Sequence, residues 1–539
     1  VSTTPIVVPP APAAGKPGVT KRRAVLIEVL SIVASVASGH LVAGLVSPLS
    51  SPFQAVADTM VRISPDWLVE IGKSLDFPSI GLPKGVADKV LLLVGIGVAL
   101  VGLGVLAGLA AYRSRSLGRA VIVVLGLAGL AAVVFSPVFG LADVLAPLAA
   151  LLVGLSVYFR LYNLAENVPA GPKVPDGGDP VELTRRKLIV SSAGVGAGAV
   201  AAGAVGQLLG AGSGPDVGAL EAATSRLRAA RPAPPIPAGA DFAAQGSTTF
   251  ITANKDFYRI DTALRIPVLN PRDYRLRLHG MVDREISLSY DDLLQRPLAE
   301  RVITLCCVSN TVNGDLISNA TFTGVSLRDL LLEAGVRPGA DQIFATSSDG
   351  WTCGTPTDVV LEPDRGAMLA LAMNGEPLPV EHGYPVRMVV PGLYGFVSAT
   401  KWLTDLELTT FDRRRSYWID RGWAVKAPVK TASRIDRPRG LDTVPAGRFT
   451  AAGIAWAQHR GISRVEVRVD GGPWQEAMLS TEVSRDTWRM WRAELMLAPG
   501  NHNIESRATD GTGAVQPEER VDPIPDGATG WPQILFTAH

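Results

Sequence analysis

The 539 residues include only three cysteines, Cys306, Cys307 and Cys353. Three thiols cannot build a disulfide framework for a chain of this length, nor supply four ligands to a zinc or iron–sulfur site. An excess of one charge is also missing. Lysine and arginine number 51, aspartate and glutamate 50, so no global basic field exists to attract nucleic acid. Histidine is sparse, and His40 is the only one in the front of the chain before residue 279. A pair of axial histidines is therefore lacking there, which argues against a built-in haem b relay.

What the chain has in abundance is apolar residue, unevenly placed. Mean hydropathy is +0.24, and the excess lies in the first 210 residues or so, the asymmetry expected of a membrane half joined to a soluble half. Four long apolar runs occupy 24–46, 90–111, 120–139 and 141–162. About 20 residues at a rise of about 1.5 Å span a hydrocarbon core of about 30 Å. Buried soluble helices are the weaker reading, because four runs without a polar face leave nothing for water.

Charge orients the predicted bundle. Lys21, Arg22 and Arg23 precede the first run; Arg113, Arg115 and Arg119 lie between the second and third; Arg160, Lys173, Arg185, Arg186 and Lys187 follow the fourth. The third-to-fourth connection has no basic residue, and 47–89 mixes signs. Positive-inside counting places the N-terminus in the cytoplasm. A fifth, Ala/Gly-rich run at 188–210 follows Thr184-Arg185-Arg186-Lys187-Leu188-Ile189. This resembles a twin-arginine export signal set inside the chain; the plainer alternative is a last helix with a basic flank. Five spans from a cytoplasmic start put everything beyond residue 210 on the outer face of a bacterial cytoplasmic membrane. A twin-arginine route carries folded cargo, which anticipates a cofactor inserted before export. No small-residue cleavage site follows, so the run is expected to remain as an anchor. Within the first run Glu28 and His40 are twelve residues apart, roughly 18 Å along a helix, so they do not pair directly. As ionisable groups within a span both are candidates for function; for Glu28, near the cytoplasmic end, snorkelling to the interface is the plainer alternative. The Gly104/Gly108 spacing is read as helix packing.

Residues 1–23 read as a cytoplasmic tail, 24–210 as the transmembrane domain and 211–240 as a proline-rich tether with a short helix near 219–230. Two blocks follow, 241–412 with mixed short helices and strands, and 413–539. The second alternates strictly at Val465, Val467 and Val469, turns at Asp470-Gly471-Gly472, and offers Trp474, Trp488 and Trp491 as apolar anchors. That pattern predicts a β-sandwich of about seven strands.

Chemistry concentrates in the first block. Leu305-Cys306-Cys307-Val308-Ser309-Asn310 puts a cysteine at the end of a strand-like stretch, where a thiolate can meet a soft metal; a buried structural cysteine is the alternative. Downstream stand Met373-Asn374-Gly375-Glu376-Pro377-Leu378-Pro379, Glu381-His382-Gly383-Tyr384-Pro385-Val386-Arg387, Val389-Val390-Pro391-Gly392 and Lys401-Trp402. In this order they resemble the molybdopterin-binding domain of the sulfite oxidase family. Asn254-Lys255-Asp256-Phe257-Tyr258 resembles the opening of the methionine sulfoxide reductase catalytic subunits within it. Arg460-Gly461-Ile462, Thr487-Trp488, Pro499-Gly500 and Ala508-Thr509-Asp510 resemble its immunoglobulin-like dimerisation domain. The likeness covers about 245–539, and the membrane front resembles an actinobacterial subgroup.

The resemblance implies a multidomain fold: a five-helix all-α transmembrane bundle, an α+β molybdopterin domain and an all-β immunoglobulin-like sandwich. It implies a molybdenum–molybdopterin cofactor with Cys307 as its metal ligand. Arg387 and Lys401 match phosphate-gripping positions, with His382, Thr400, Asn254, Tyr258, Arg259 and Thr352 as further cofactor contacts. Tyr258, Asn310 and Thr352 are candidate catalytic groups on the substrate side. No haem, flavin or iron–sulfur cluster is expected in this chain, so electrons need a membrane carrier, a quinone or a redox protein. A homodimer follows from the resemblance alone. Where sulfite oxidases place arginines after the cysteine and before the lysine, this chain has Val308-Ser309-Asn310-Thr311-Val312-Asn313 and Gly395-Phe396-Val397-Ser398-Ala399-Thr400. That departure favours a neutral oxo-substrate such as a sulfoxide over sulfite. Sulfite dehydrogenation is the second reading, and a cofactor-free surface-binding module the third.

Overall fold

The computed structural model describes residues 19–64, 84–136, 139–168, 180–211, 227–263 and 266–539. The chain forms two compact units, Val1–Gly214 and Pro215–His539.

The first unit is helical: α1 Lys21–Val46, α2 Pro52–Ile63, α3 Lys84–Arg113, α4 Arg115–Val134, α5 Leu145–Glu166 and α6 Pro180–Ala211. Five segments are long and apolar enough to cross a membrane: Lys21–Val46, Val90–Arg113, Arg115–Val134, Leu141–Glu166 and Arg185–Gly210. Large apolar side chains face outward along them, Val98 and Leu106 each 67% exposed and Val200 74%, a surface suited to lipid rather than water. Helix α2 did not stand out in the sequence. Pro52 opens it, a position where a missing N–H costs nothing, and Ala55 and Ala57 are buried.

Helix α1 packs against α3, α5 and α6. Small residues allow the approach: a Cβ on Gly108 would overlap Val25 Cα and lie 2.8 Å from Val25 N, and one on Gly44 would lie 2.6 Å from Gly206 O. Backbone atoms cannot step aside as a flexible side chain can. Gly108→Val should therefore lower the thermal unfolding midpoint of the detergent-solubilised chain, with an overpacking cost of about 1–3 kcal/mol. An unchanged midpoint would show that α1 and α3 do not touch there. Glu28 does not snorkel: its side chain is fully buried, and its carboxylate fills the space that a Cβ on Gly118 of α4 would take. The glycine leaves the room that the carboxylate occupies. His40 binds Ser51 Oγ through Nδ1 at 3.3 Å and Gln207 Oε1 through Nε2 at 3.2 Å.

The second unit begins with two sheets. One orders Ile286–Ser289, Arg275–Gly280, Leu403–Thr409, Gln342–Ser347 and Thr352–Pro356. The other orders Ala299–Cys306, Ile317–Ser326, Met368–Met373 and Glu376–Pro377, with Arg387–Val389 also paired to Met368–Met373. The strand Met368–Met373 is buried along its whole length, as a strand covered on both faces must be. Short helices at Leu327–Ala334 and Thr357–Leu361 start where Ser326 and Pro356 end the extended runs.

The C-terminal part has a four-stranded and a five-stranded sheet. Nine strands replace the expected seven or so, because the short strands Thr443–Val444, Gln475–Glu476 and Met478–Leu479 extend the edges. Val465 and Val467 are fully buried, and Asp470 and Gly471 take positive φ at the hairpin turn. The three tryptophans differ. Trp491 is in the sandwich core. Trp488 instead joins the core of the preceding sheets, its N donating to Thr304 Oγ1 at 2.7 Å. Trp474 lies half-buried against Trp531, beneath the Arg468 and Arg507 guanidiniums. Much of the expected tether lies outside the described residues, as does most of the short helix near 219–230. Where described, Arg231 bridges to Ala299 and Ala240 is buried, so the segment is docked on this unit rather than held free.

Candidate molybdopterin site

Strand Ala299–Cys306 delivers two adjacent cysteines to its end, and both are buried. Cys306 completes the strand and lies in the hydrophobic core. Cys307, the next residue, starts a turn: its N–H donates to Leu316 O at 2.9 Å, and its carbonyl accepts from Asn310 N at 3.1 Å. Asn310 Oδ1 accepts from Leu316 N at 2.9 Å, closing the loop on itself. The C-terminal part steadies the same loop, Ile435 N donating to Asn313 Oδ1 at 2.8 Å and Arg434 Nη1 to Gly314 O at 3.4 Å.

Tyr258 reaches this corner from the opening segment, its N donating to Ser318 Oγ at 3.1 Å. Burial holds its phenol well above the usual range; Cys307 and Cys306 add to that and Arg387 opposes it. The hydroxyl stays protonated at any ordinary pH. A Cβ on Gly395 would lie 3.5 Å from that hydroxyl, so this backbone runs close where a side chain is missing.

A cationic pocket lies beside it. His382 is 3% exposed, and its Nε2–H donates to Asn254 O at 2.9 Å. Burial, aided by the Arg387 charge, pulls the ring down to about 4. The imidazole is neutral, and with the proton on Nε2 its Nδ1 is an acceptor. Arg387, 5% exposed, donates from Nη1 to His382 O at 3.2 Å and sits over the Phe322 ring. Burial pulls this guanidinium down to about 10. Lys401 Nζ donates to Asp261 Oδ2 at 2.9 Å and Glu381 O at 3.2 Å, and burial pulls it to about 8. Arg259 Nε binds the same Asp261 oxygen at 2.8 Å. Gly383, at φ +114°, makes this convergence possible: a Cβ there would stand 3.1 Å from both Arg387 Cβ and Lys401 Cβ.

The structure thus brings Cys307 and Tyr258 together, and His382, Arg387, Lys401 and Arg259 together, with Arg387 facing both groups. Thr400 is fully buried beside them in the chain. Asn254 contributes its carbonyl; its side chain is held by Met373 O, Glu376 and Asn374. The Met373-Asn374-Gly375-Glu376 turn therefore works as a clamp on the opening segment. Thr352 is drawn elsewhere, its Oγ1 accepting from Tyr417 N at 3.0 Å. Asp261 escaped the sequence reading because no motif marks a lone aspartate whose partners lie 2 and 140 residues away.

One buried polar atom in the pocket has no hydrogen-bond partner among the described residues, Arg387 Nε; Thr400 Oγ1 is turned to the Cys353 thiol. A buried donor left this way costs roughly 1–3 kcal/mol, more if charged, unless a bound group accepts from it. An anionic group with phosphate oxygens suits this donor set. No cluster of three metal-ligating His, Cys, Asp or Glu exists among the described residues, so the protein offers single thiolates and not a cage.

Comparison with known proteins agrees with this chemistry. Residues 263–418 match the model of the oxidoreductase molybdopterin binding domain, and 424–525 that of the Mo-co oxidoreductase dimerisation domain. Human mitochondrial sulfite oxidase is 32% identical over 328 residues, covering 51% of this chain and 58% of that protein. The oxidoreductase YuiH of Bacillus subtilis is 33% identical over 153 residues, 28% of this chain and 73% of that one. The chain belongs to the sulfite oxidase family.

As a family member it carries the oxidoreductase molybdopterin binding domain, and its donor set fits that cofactor. The chain spans less than two thirds of the length of sulfite oxidases such as the human one. Among solved structures, the sulfane dehydrogenase SoxCD of Paracoccus pantotrophus aligns at TM-score 0.48 and 23% identity, over 55% of this chain and 85% of that one.

Proposed function

We propose that this sulfite oxidase family member is a membrane-anchored, extracytoplasmic reductase of a neutral oxo-substrate of the sulfoxide type. Its five apolar segments anchor it with the N-terminus in the cytoplasm, and Arg185-Arg186 mark the export signal. Residues 241–412 are the catalytic domain and 413–539 an immunoglobulin-like domain serving homodimerisation. Cys307 is the metal ligand. Arg387, Lys401, His382 and Thr400 hold the pterin and its phosphate, with Asn254 and Arg259 closing the far side. When bound, the cofactor supplies two-electron redox chemistry with transfer of an oxygen atom.

The observation that carries the substrate class is the cleft beside the Cys307 loop. It is lined by Cys306, Asn310, Thr311, Asn313, Tyr394 and Ser433 among others, with no ionised side chain. Amides and hydroxyls of this kind bind a neutral S=O dipole; a dianion needs charge-assisted donors. Tyr258, kept protonated, is a hydrogen-bond donor to the substrate oxygen, and Asn310 orients the loop. Two electrons from a quinol or a membrane redox protein, with two protons, convert S=O to sulfide and water.

Sulfite dehydrogenation is the second reading, favoured by one observation: Arg434 reaches the loop carbonyl of Gly314. Its charge is already engaged by Asp436 at 2.6 Å. Steady-state turnover decides between the two. Methionine sulfoxide with a reduced viologen dye should outperform sulfite with ferricyanide by roughly a hundredfold in kcat/KM, the worth of one or two charge-assisted hydrogen bonds. Efficient turnover at micromolar sulfite would overturn the assignment.

A further inference from the structure

We infer that Asp261 sets the charge of the anion-binding pocket by holding Lys401 in its ammonium form. The inference rests on the reading of Arg387 and Lys401 as the phosphate grip. The Asp261 side chain is 4% exposed, and its Oδ2 lies 2.9 Å from Lys401 Nζ and 2.8 Å from Arg259 Nε. Among the described residues it is the one carboxylate in ion-pair contact with Lys401. The other groups around this ammonium are the Arg387 and Arg259 guanidiniums, the neutral His382 ring, the Glu381 carbonyl and the Trp402 face. The two guanidiniums repel it, and burial penalises it.

Three cations against one carboxylate leave a pocket matched to a dianion. That match holds only while Lys401 keeps its proton. A buried lysine without a counter-charge loses it readily, whereas a guanidinium does not. Lys401 stands at about 8 with Asp261 in place; it is therefore charged below that pH and loses its hold on anions above it. Without the carboxylate the crossing moves into the neutral range. Asp261 is thus a positioning and charge-setting residue, acting on the ligand through Lys401.

The test uses full-length apoprotein from a host unable to make the cofactor, in detergent, with inorganic sulfate as probe because it stays dianionic throughout. Calorimetric affinity is followed between pH 6 and pH 9.5. Wild type should lose affinity as pH passes about 8. Asp261→Asn should move that midpoint down by about one unit or more, making binding roughly tenfold weaker between the two midpoints. In a Lys401→Arg background the fall should vanish, and Asp261→Asn should no longer shift the profile. An unmoved midpoint in Asp261→Asn, or an equal shift in the arginine background, would overturn the inference, since a purely structural role predicts either. Sulfate binding absent from wild type would instead remove the phosphate-grip reading, and the inference with it.

Discussion

Cys307→Ser should abolish turnover while leaving the fold and membrane insertion intact. Serine is nearly isosteric, and the turn at this position is held by backbone groups, Cys307 N to Leu316 O and Asn310 N to Cys307 O. What changes is the donor atom. A hydroxyl oxygen is hard and does not ionise near neutral pH, so it cannot replace a soft thiolate in the coordination of molybdenum. Changes in the outer shell of metal sites typically cost about 10–100-fold, and loss of the ligand itself should exceed that. Electron paramagnetic resonance of the partly reduced protein should show an altered signal in the variant. Cys306→Ser is the internal control. That side chain lies 2% exposed in the apolar core, so its replacement should lower stability and spare the metal signal. Unchanged turnover in Cys307→Ser, or an equal loss of the metal signal in Cys306→Ser, would place the ligand elsewhere.

Arg387→Met should give opposite effects on the apoprotein and on the loaded enzyme. The guanidinium is 5% exposed, its Nε is unpartnered and no carboxylate pairs with it among the described residues. Such a charge is costly to the empty fold. Methionine fills a similar volume over Phe322 without that cost, so the apoprotein should gain roughly 1–3 kcal/mol and a higher unfolding midpoint. Cofactor retention should fall more than tenfold, because the planar donor fork is lost. Lysine at 387 should recover charge but not the fork, and retain only part of the cofactor. The checks are a thermal melt of the apoprotein and molybdenum content per purified chain. Full occupancy in Arg387→Met would show that the phosphate is held without this residue.

Much of this was legible before the structure, wherever physics acts locally along the chain. Twenty apolar residues in succession have few fates other than lipid, so the five segments could be read from composition alone. The alternation at Val465 and Val467 and the Asp470-Gly471 turn are likewise local. The ordered motifs around Cys307, His382, Arg387 and Lys401 carried the family. Less was visible where a residue's role depends on a distant partner. Glu28 was expected at the interface, yet the gap at Gly118, ninety residues on, takes its carboxylate inside. Trp488 was assigned to its own sandwich, yet it joins the neighbouring core through Thr304 and Phe250.

The sequence by itself determined an apolar helical front, a molybdopterin-type second half and a lack of cationic residues in the run after Cys307, because each is a property of residue type and order. Only the tertiary structure decided which of two adjacent cysteines enters the core and which opens the turn. It alone showed the His382 ring against the Asn254 carbonyl, the Asn374 clamp on the opening segment and the single carboxylate shared by Arg259 and Lys401. The physical reason is common to all of these. Burial and pairing energies depend on atoms 3 Å apart in space that lie up to 140 residues apart in the chain, and no local pattern records them.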